Sequence, residues 1–323
     1  MVKDKELNNE QLETPRVSVI MNCYNGEKYL KESIDSVYKQ TYQNWEIIFW
    51  DNASTDRSAE IARRYDNKLK YFRGDKTVPL YAARNYALKR ARGKYIAILD
   101  CDDLWLPTKL EEQLPLLEKD ERVGLVYSDA FLFNEKGKEK RSFESRKPYR
   151  NNIFSELLLC NFINTQTVVI RNKAFDNLEY WFDSRLNITG DLDAYLRISY
   201  KWKVDYVDRP LVRYRVHRDS TTYKEGRDLL IVELDLMMEN LKNVISDFEY
   251  KYPEEVKSLR KRRDVQLSLL DWERGNPKQA RRRIRAHLYD NAPHFILYFL
   301  MYLPYRIIFK PCYKIYNKNV ITN

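Results

Sequence analysis

The sequence predicts an α/β protein whose first two thirds build a largely parallel sheet and whose last third is helical. Three observations predict it. Short apolar runs alternate with stretches of helical period, the first runs end in polar and acidic residues, and long helices take over after about residue 224. After a polar tail (residues 1–15), residues 16–21 (RVSVIM) read as a buried strand ending in Asn22-Cys23-Tyr24-Asn25-Gly26. Leu30, Ile34, Val37 and Tyr38 then recur with the spacing of one helix face. Residues 40–44 break that helix and residues 46–50 (EIIFW) form a second strand. Asp51-Asn52-Ala53-Ser54-Thr55-Asp56 follows, with Ser54, Thr55 or Asp56 able to cap the next helix. Residues 69–73 are a third strand and residues 80–92 a helix. Residues 95–99 (YIAIL) are a buried strand running from Gly93 to Asp100-Cys101-Asp102-Asp103.

Downstream, residues 123–127 and 130–133 read as strands, with a hairpin turn at 134–137 and a basic loop over 138–150. Residues 154–160 are helical, 165–170 (TQTVVI) a strand, and 204–207 and 211–216 two more, with a helix opening near Asp191 between them. The last third reads as helices over 229–245, 254–273 and 277–288, with Gly275-Asn276-Pro277 as a break.

With 323 residues, one large domain plus an appendage is expected. We divide the chain into a core at 16–222 (halves 16–112 and 113–222), a basic helical region at 223–291 and a C-terminal segment at 292–323. The net charge of +10 favours phosphates or an anionic surface as partners. Four scattered cysteines without a C-x-x-C spacing argue against a zinc site or a disulfide framework, and fit a reducing cytoplasm. Residues 1–14 carry no apolar stretch, so no secretory signal is expected. Neither G-x-G-x-x-G nor a Walker loop occurs, which removes dinucleotide and P-loop readings.

Open α/β sheets bind ligands outside the carboxyl ends of their strands. Tyr24, Asp51 and the aspartates Asp100, Asp102 and Asp103 all stand at such ends. Crowded carboxylates repel unless a cation or an arginine offsets them, and hard divalent ions take oxygen ligands while keeping room for substrate phosphates. The alternative for Asp102 and Asp103 is a solvated turn that starts the helix after Pro107.

The strings VSVIMNCYNGEKYL, QTYQNWEIIFWDNASTD and AARNYALKRARGKYIAILDCDDLWLP, in that order, resemble the nucleotide-binding half of inverting family 2 glycosyltransferases. The resemblance implies the GT-A fold, a Rossmann-like mixed sheet with helices on both faces that binds nucleotide-diphospho sugars. It implies that Tyr24 stacks on the base, that Asp51 and Asn52 sit at base and ribose, and that Arg84 approaches the nucleotide. Asp100 and Asp102 would form a D-x-D, with Asp102 the principal ligand of a divalent Mn or Mg ion and Asp103 the trailing acid. Asn52 departs from the Asp-Asp that many members carry; its amide both donates and accepts, which leaves base preference open. Cys23 reads as a small buried filler rather than a nucleophile.

The stretch Gly190-Asp191-Leu192-Asp193-Ala194-Tyr195-Leu196-Arg197 fits the family frame in which an E-D pair opens a helix, with Gly190 in place of the glutamate. The resemblance implies Asp191 as the catalytic base; read without it, Asp191 is a helix cap. Arg213-Tyr214-Arg215-Val216-His217 matches a closing Y-R-x-H, which implies Arg215 at the diphosphate and His217 as a further metal ligand. The expected partners are a nucleotide-diphospho-sugar donor and a glycan or lipid-linked acceptor, in envelope or surface glycan synthesis, with no nucleic acid. The aromatic stretch 293–309, flanked by basic residues, reads either as a peripheral anchor on the cytoplasmic membrane face or as a helix docked on the core. Two other classes compete with this reading. A sugar-nucleotidyltransferase needs a glycine- and basic-rich loop after the first strand, which this chain lacks; a non-catalytic basic protein would bind anionic lipid or nucleic acid through its C-terminal half.

Overall fold

Alternation along the first strand decides the layering. In the computed structural model, which describes residues 15–144, 147–176, 178–217, 227–289, 292–305 and 307, β1 (Val17–Cys23) turns Val17, Val19, Met21 and Cys23 to one face and Ile20 to the other. The first face packs α1 (Leu30–Tyr38), α2 (Ser58–Ala62) and α4 (Lys109–Lys119) through Leu30, Ile34, Val37, Ala62, Leu110 and Leu114. Against the second lie α3 (Leu80–Leu88), α5 (Phe154–Leu159) and α7 (Gly190–Lys201). Around β1 stand β2 (Trp45–Asp51), β3 (Leu69–Arg73) and β4 (Tyr95–Ile98), all parallel, so their carboxyl ends share one edge. The sheet continues through β5 (Leu104–Trp105), β6 (Val123–Phe133), β8 (Val169–Arg171) and β9 (Lys203–Arg215) in the order β3-β2-β1-β4-β8-β6-β9-β5, with β7 (Glu139–Arg141) on β6. Because β8 runs antiparallel to both β4 and β6, the sheet is mixed.

Three readings of local pattern change. Residues 123–127 and 130–133 are one strand interrupted by a bulge at Ser128–Ala130, where buried Asp129 accepts from Ala130 N, Phe143 N and Arg141 Nε. The runs 204–207 and 211–216 likewise join as β9, whose pairing shifts between Val207 and Pro210. The predicted strand 165–170 begins instead as a 3₁₀ turn, Thr165–Thr167, capped by Asn164, and only Val169–Arg171 pairs in the sheet. Polar side chains in that run are drawn to partners at the sheet edge.

After the short helix α6 (Lys173–Asp176) and α7, the chain continues as α8 (Arg227–Val244), α9 (Phe248–Lys251), α10 (Pro253–Glu273), α11 (Pro277–Ile284) and α12 (Ala292–Leu300). Leu234, Met237, Leu241, Val256 and Leu259 are buried in the same core as α5 and α7. Trp272, Ala280, Ile284 and Met301 form a separate small cluster. On its other side α12 exposes Phe295, Ile296 and Phe299, and the chain beyond it exposes Tyr302, Leu303 and Ile307. No described helix is long and apolar enough to cross a membrane.

Candidate active site

Side-chain hydrogen bonds to backbone stitch together the loops that leave β1 and β2. Asn25 N donates to Ser54 Oγ (3.0 Å), Gly26 N to Ser58 Oγ (3.0 Å) and Thr55 N to Asn25 Oδ1 (2.8 Å). Asn25 and Ala53 take positive φ to make the turns. Tyr24 projects from this platform, 53% exposed, its ring available to stack. Asp51 does not project. It is fully buried and accepts from Tyr71 Oη (2.6 Å), Arg73 NH1 (2.6 Å) and Ser54 N (2.8 Å). Asn52 donates to Val78 O (2.8 Å) and accepts from Val78 N (3.1 Å), so its amide holds the segment leading into α3. Both residues shape the platform with side chains already engaged.

At the end of β4 each crowded carboxylate has its own partner. Asp100 Oδ1 pairs with Arg84 NH2 at 2.7 Å, and Oδ2 accepts from Gln166 Nε2 at 2.6 Å. Arg84 itself is 2% exposed and lies 5.1 Å from the centre of the Tyr81 ring. Asp102 Oδ2 is 2.8 Å from His217 Nε2. Asp103 points inward: it is buried, accepts from Arg215 N at 2.6 Å, and its pKa is raised well above the ordinary value by burial first and by the Asp102 charge second. Arg215 donates through Nε to Asp102 O (2.8 Å), pairs with Glu32, and packs over the rings of Tyr29 and Phe133. Thus the end of β9 is clamped onto the D-C-D-D turn, which brings Arg215 and His217 against Asp102 and Asp103.

Asp191 lies in the first turn of α7 and is half-buried. One carboxylate oxygen accepts from Thr165 Oγ1 and the other from Leu192 N at 2.8 Å. Thr165 is the neighbour of Gln166, which both donates to Asp100 and accepts from Asp100 N (2.9 Å). Two consecutive residues of one turn therefore join Asp191 to Asp100. Tyr81 and Tyr195 lie close to Asp191, and burial first, then the Asp191 charge, pushes both phenols upward.

Sequence reasoning missed Thr165 and Gln166. The available signal was three polar residues in succession inside an otherwise apolar run, preceded by a capping asparagine. It also missed Asn22, whose amide is buried with neither atom hydrogen-bonded among the described residues, as is Arg84 Nε. Asn22 follows the Ile20–Ile98 pair by two residues, which brings it beside Asp100 on the same sheet face. Buried polar atoms of this kind take a polar ligand or ordered water as partner.

Among the described residues no three His, Cys, Asp or Glu side chains are grouped as a metal cage. Asp102 and His217 offer one oxygen and one nitrogen donor at the crevice. A carboxylate beside an imidazole suits a divalent ion that also accepts nitrogen and keeps most of its shell for water and phosphate.

A family model described as glycosyl transferase family 2 matches residues 18–179. Bacillus subtilis EpsE, which carries a glycosyltransferase name, is 31% identical over 245 residues, 73% of this chain and 86% of that protein. Among solved structures, S. aureus TarS 1–349 in complex with UDP-GlcNAc aligns with a TM-score of 0.67 at 19% identity, over 84% of this chain and 81% of that one. The mannosyltransferase PcManGT of Pyrobaculum calidifontis, in complex with GDP-Man and Mn2+, aligns at 0.58 and 19%, over 92% and 83%. At those identities the two structures speak to the fold.

Proposed function

The chain belongs to glycosyl transferase family 2 and has the GT-A fold of a sugar-transferring enzyme, and from that premise we propose that it is an inverting, metal-dependent transferase acting on a nucleoside-diphosphate sugar. The carrying observation is the Thr165–Gln166 turn, which ties the candidate base Asp191 to Asp100 of the D-C-D-D turn. A base and a donor-side carboxylate held by adjacent residues suit a reaction in which one ligand ends where the other begins.

In this reading Tyr24 stacks on the base of the donor, and Asp51 and Asn52 hold the platform beneath it. Arg84, Asp100 and the amide of Asn22 face the donor's polar groups, while Arg215 adds charge beside the diphosphate. Asp103 serves by anchoring β9. Asp102 and His217 would hold the divalent ion, which when bound offsets negative charge on the departing diphosphate. Asp191 takes the proton of an acceptor hydroxyl, the hydroxyl oxygen forms a bond to the anomeric carbon, and the bond from that carbon to the diphosphate breaks on the opposite face. One displacement inverts the anomeric centre.

The reading is tested by a screen of UDP-, GDP- and dTDP-sugars with and without Mn2+, followed by Asp191→Asn. Donor binding should survive the substitution while turnover falls by roughly 10²–10⁴-fold, the usual loss for a general base. Wild-type turnover would leave Asp191 a helix cap.

We propose in addition that the exposed aromatic face of α12, with Arg281 over the Tyr302 ring and Arg285 close to Tyr298, rests on an anionic membrane surface, which would suit a lipid-linked or envelope glycan acceptor. Retention on anionic liposomes that weakens with salt is expected; indifference to liposomes in low salt would leave the face without this role.

A further inference from the structure

Glu233 is a fully buried carboxylate in α8. Its Oε1 accepts from Asn187 N at 2.6 Å; its Oε2 accepts from Ile188 N at 2.9 Å, Thr189 N at 2.7 Å and Thr189 Oγ1 at 2.9 Å. These three peptide groups immediately precede α7, and Asp191 is the second residue of α7. The first amides of a helix have no intrahelical partner and carry its positive dipole end. Here the amides leading into that end are gathered by an anion from another element, and Thr189 at the N-cap makes no side-chain cap of its own.

A local acid could not do the same from position 190. A Cβ on Gly190 would lie 2.6 Å from Tyr81 Cε2, and Tyr81 is buried against Phe182 and Arg84. On the other side of the same segment, Asn187 Oδ1 accepts from Leu80 N at 3.1 Å, the first residue of the helix that carries Arg84. Seven residues along the same face of α8, Asn240 Nδ2 donates to Asp193 Oδ1 and to Asp183 Oδ2, both at 3.0 Å. The start of α7 is therefore held between α3 and α8 by polar contacts, not by packing alone.

We infer that Glu233 is a positioning residue for sugar transfer: α8 sets the segment 187–189, and through it the place of Asp191 relative to the acceptor oxygen. The inference rests on Asp191 being the base, as proposed above. In Glu233→Gln the amide nitrogen cannot accept, so part of the segment loses its acceptor and Asp191 shifts.

The test compares Glu233→Gln, Asp191→Asn and the double variant in full-length protein, reading hydrolysis of whichever nucleotide sugar the donor screen returns. For Glu233→Gln we expect kcat to fall roughly 10–100-fold, the order for a displacement of about 1 Å, with the donor KM within about twofold of wild type. Hydrogen exchange at residues 187–189 should accelerate while the sheet stays protected. The double variant should be no slower than Asp191→Asn, because a group that acts through Asp191 has nothing left to position. Wild-type turnover in Asp191→Asn would sink the base assignment itself. A slow Asp191→Asn beside a Glu233→Gln of unchanged kcat, or a double variant slower than Asp191→Asn by the full factor of Glu233→Gln, overturns this inference alone. Should Glu233→Gln not fold, Glu233→Asp carries the same comparison: a lower kcat at unchanged donor KM is expected, and an unchanged kcat overturns it.

Discussion

Asn52 separates two ways a residue can stand at a nucleotide site. It either reads the base or holds the loop that does. Its amide donates to Val78 O and accepts from Val78 N, a two-bond pairing with one peptide position that fixes the segment entering α3. Asn52→Asp keeps the size and the acceptor but turns a carboxylate oxygen toward the Val78 carbonyl. The lost bond is worth ~1 kcal/mol and the acceptor left facing an acceptor a further ~1–3 kcal/mol. Val78 is only half-buried, so water relieves part of this, and a total of about 2 kcal/mol is expected. Asn52→Ala removes both bonds without the repulsion and should fall by about 1–2 kcal/mol. Urea unfolding reads the stabilities, and titration calorimetry reads UDP and GDP affinities. Loop-holding predicts that both nucleotides weaken in the same proportion in both variants. A reversal of the UDP-to-GDP preference in Asn52→Asp at unchanged stability would refute it, because only direct contact with the base can exchange one preference for another.

Asp102→Ala should abolish the Mn2+-dependent part of nucleotide binding and leave the thermal midpoint nearly unchanged, since only His217 and not the buried Asp103–Arg215 clamp loses a side-chain partner; calorimetry with and without Mn2+ checks it. Gly190→Ala drives a methyl into the Tyr81 ring and should destabilise by ~1–3 kcal/mol as an overpacked core does, read as a lowered urea midpoint. Lys109 is buried with its Nζ on Gln113 Oε1 at 2.6 Å, and burial holds its pKa well below the ordinary lysine value. Between that lowered value and about 10.4 the unfolded chain holds a proton that the folded chain has released, so stability rises with pH across the window. Lys109→Met should flatten that rise, and thermal midpoints measured across about pH 7 to 10 would show an unchanged slope if the reasoning is wrong.

By itself the sequence determined the alternation of strands and helices at the start of the chain, the polar edge they share, and the residues at that edge. Period, capping residues and the acids after YIAIL are local properties, and local sequence sets them. Tyr24, Asp51, Asp100, Asp102 and Asp103 could be named at strand ends from local sequence, whereas Arg84, Asp191, Arg215 and His217 were named only through the resemblance their strings carry. What the neighbours of those residues do was decided only by tertiary structure. Gln166 meets Asp100 across 66 residues, Glu233 meets Thr189 across 44, and Asp103 meets Arg215 across 112. Buried polar groups must find partners wherever the fold supplies them, and no period in the chain records which strand end or helix face will do so. The same reason engages the side chains of Asp51 and Asn52 with Arg73, Tyr71 and Val78, and makes Thr165–Thr167, the start of the run read as one strand, a turn that contacts both Asp191 and Asp100.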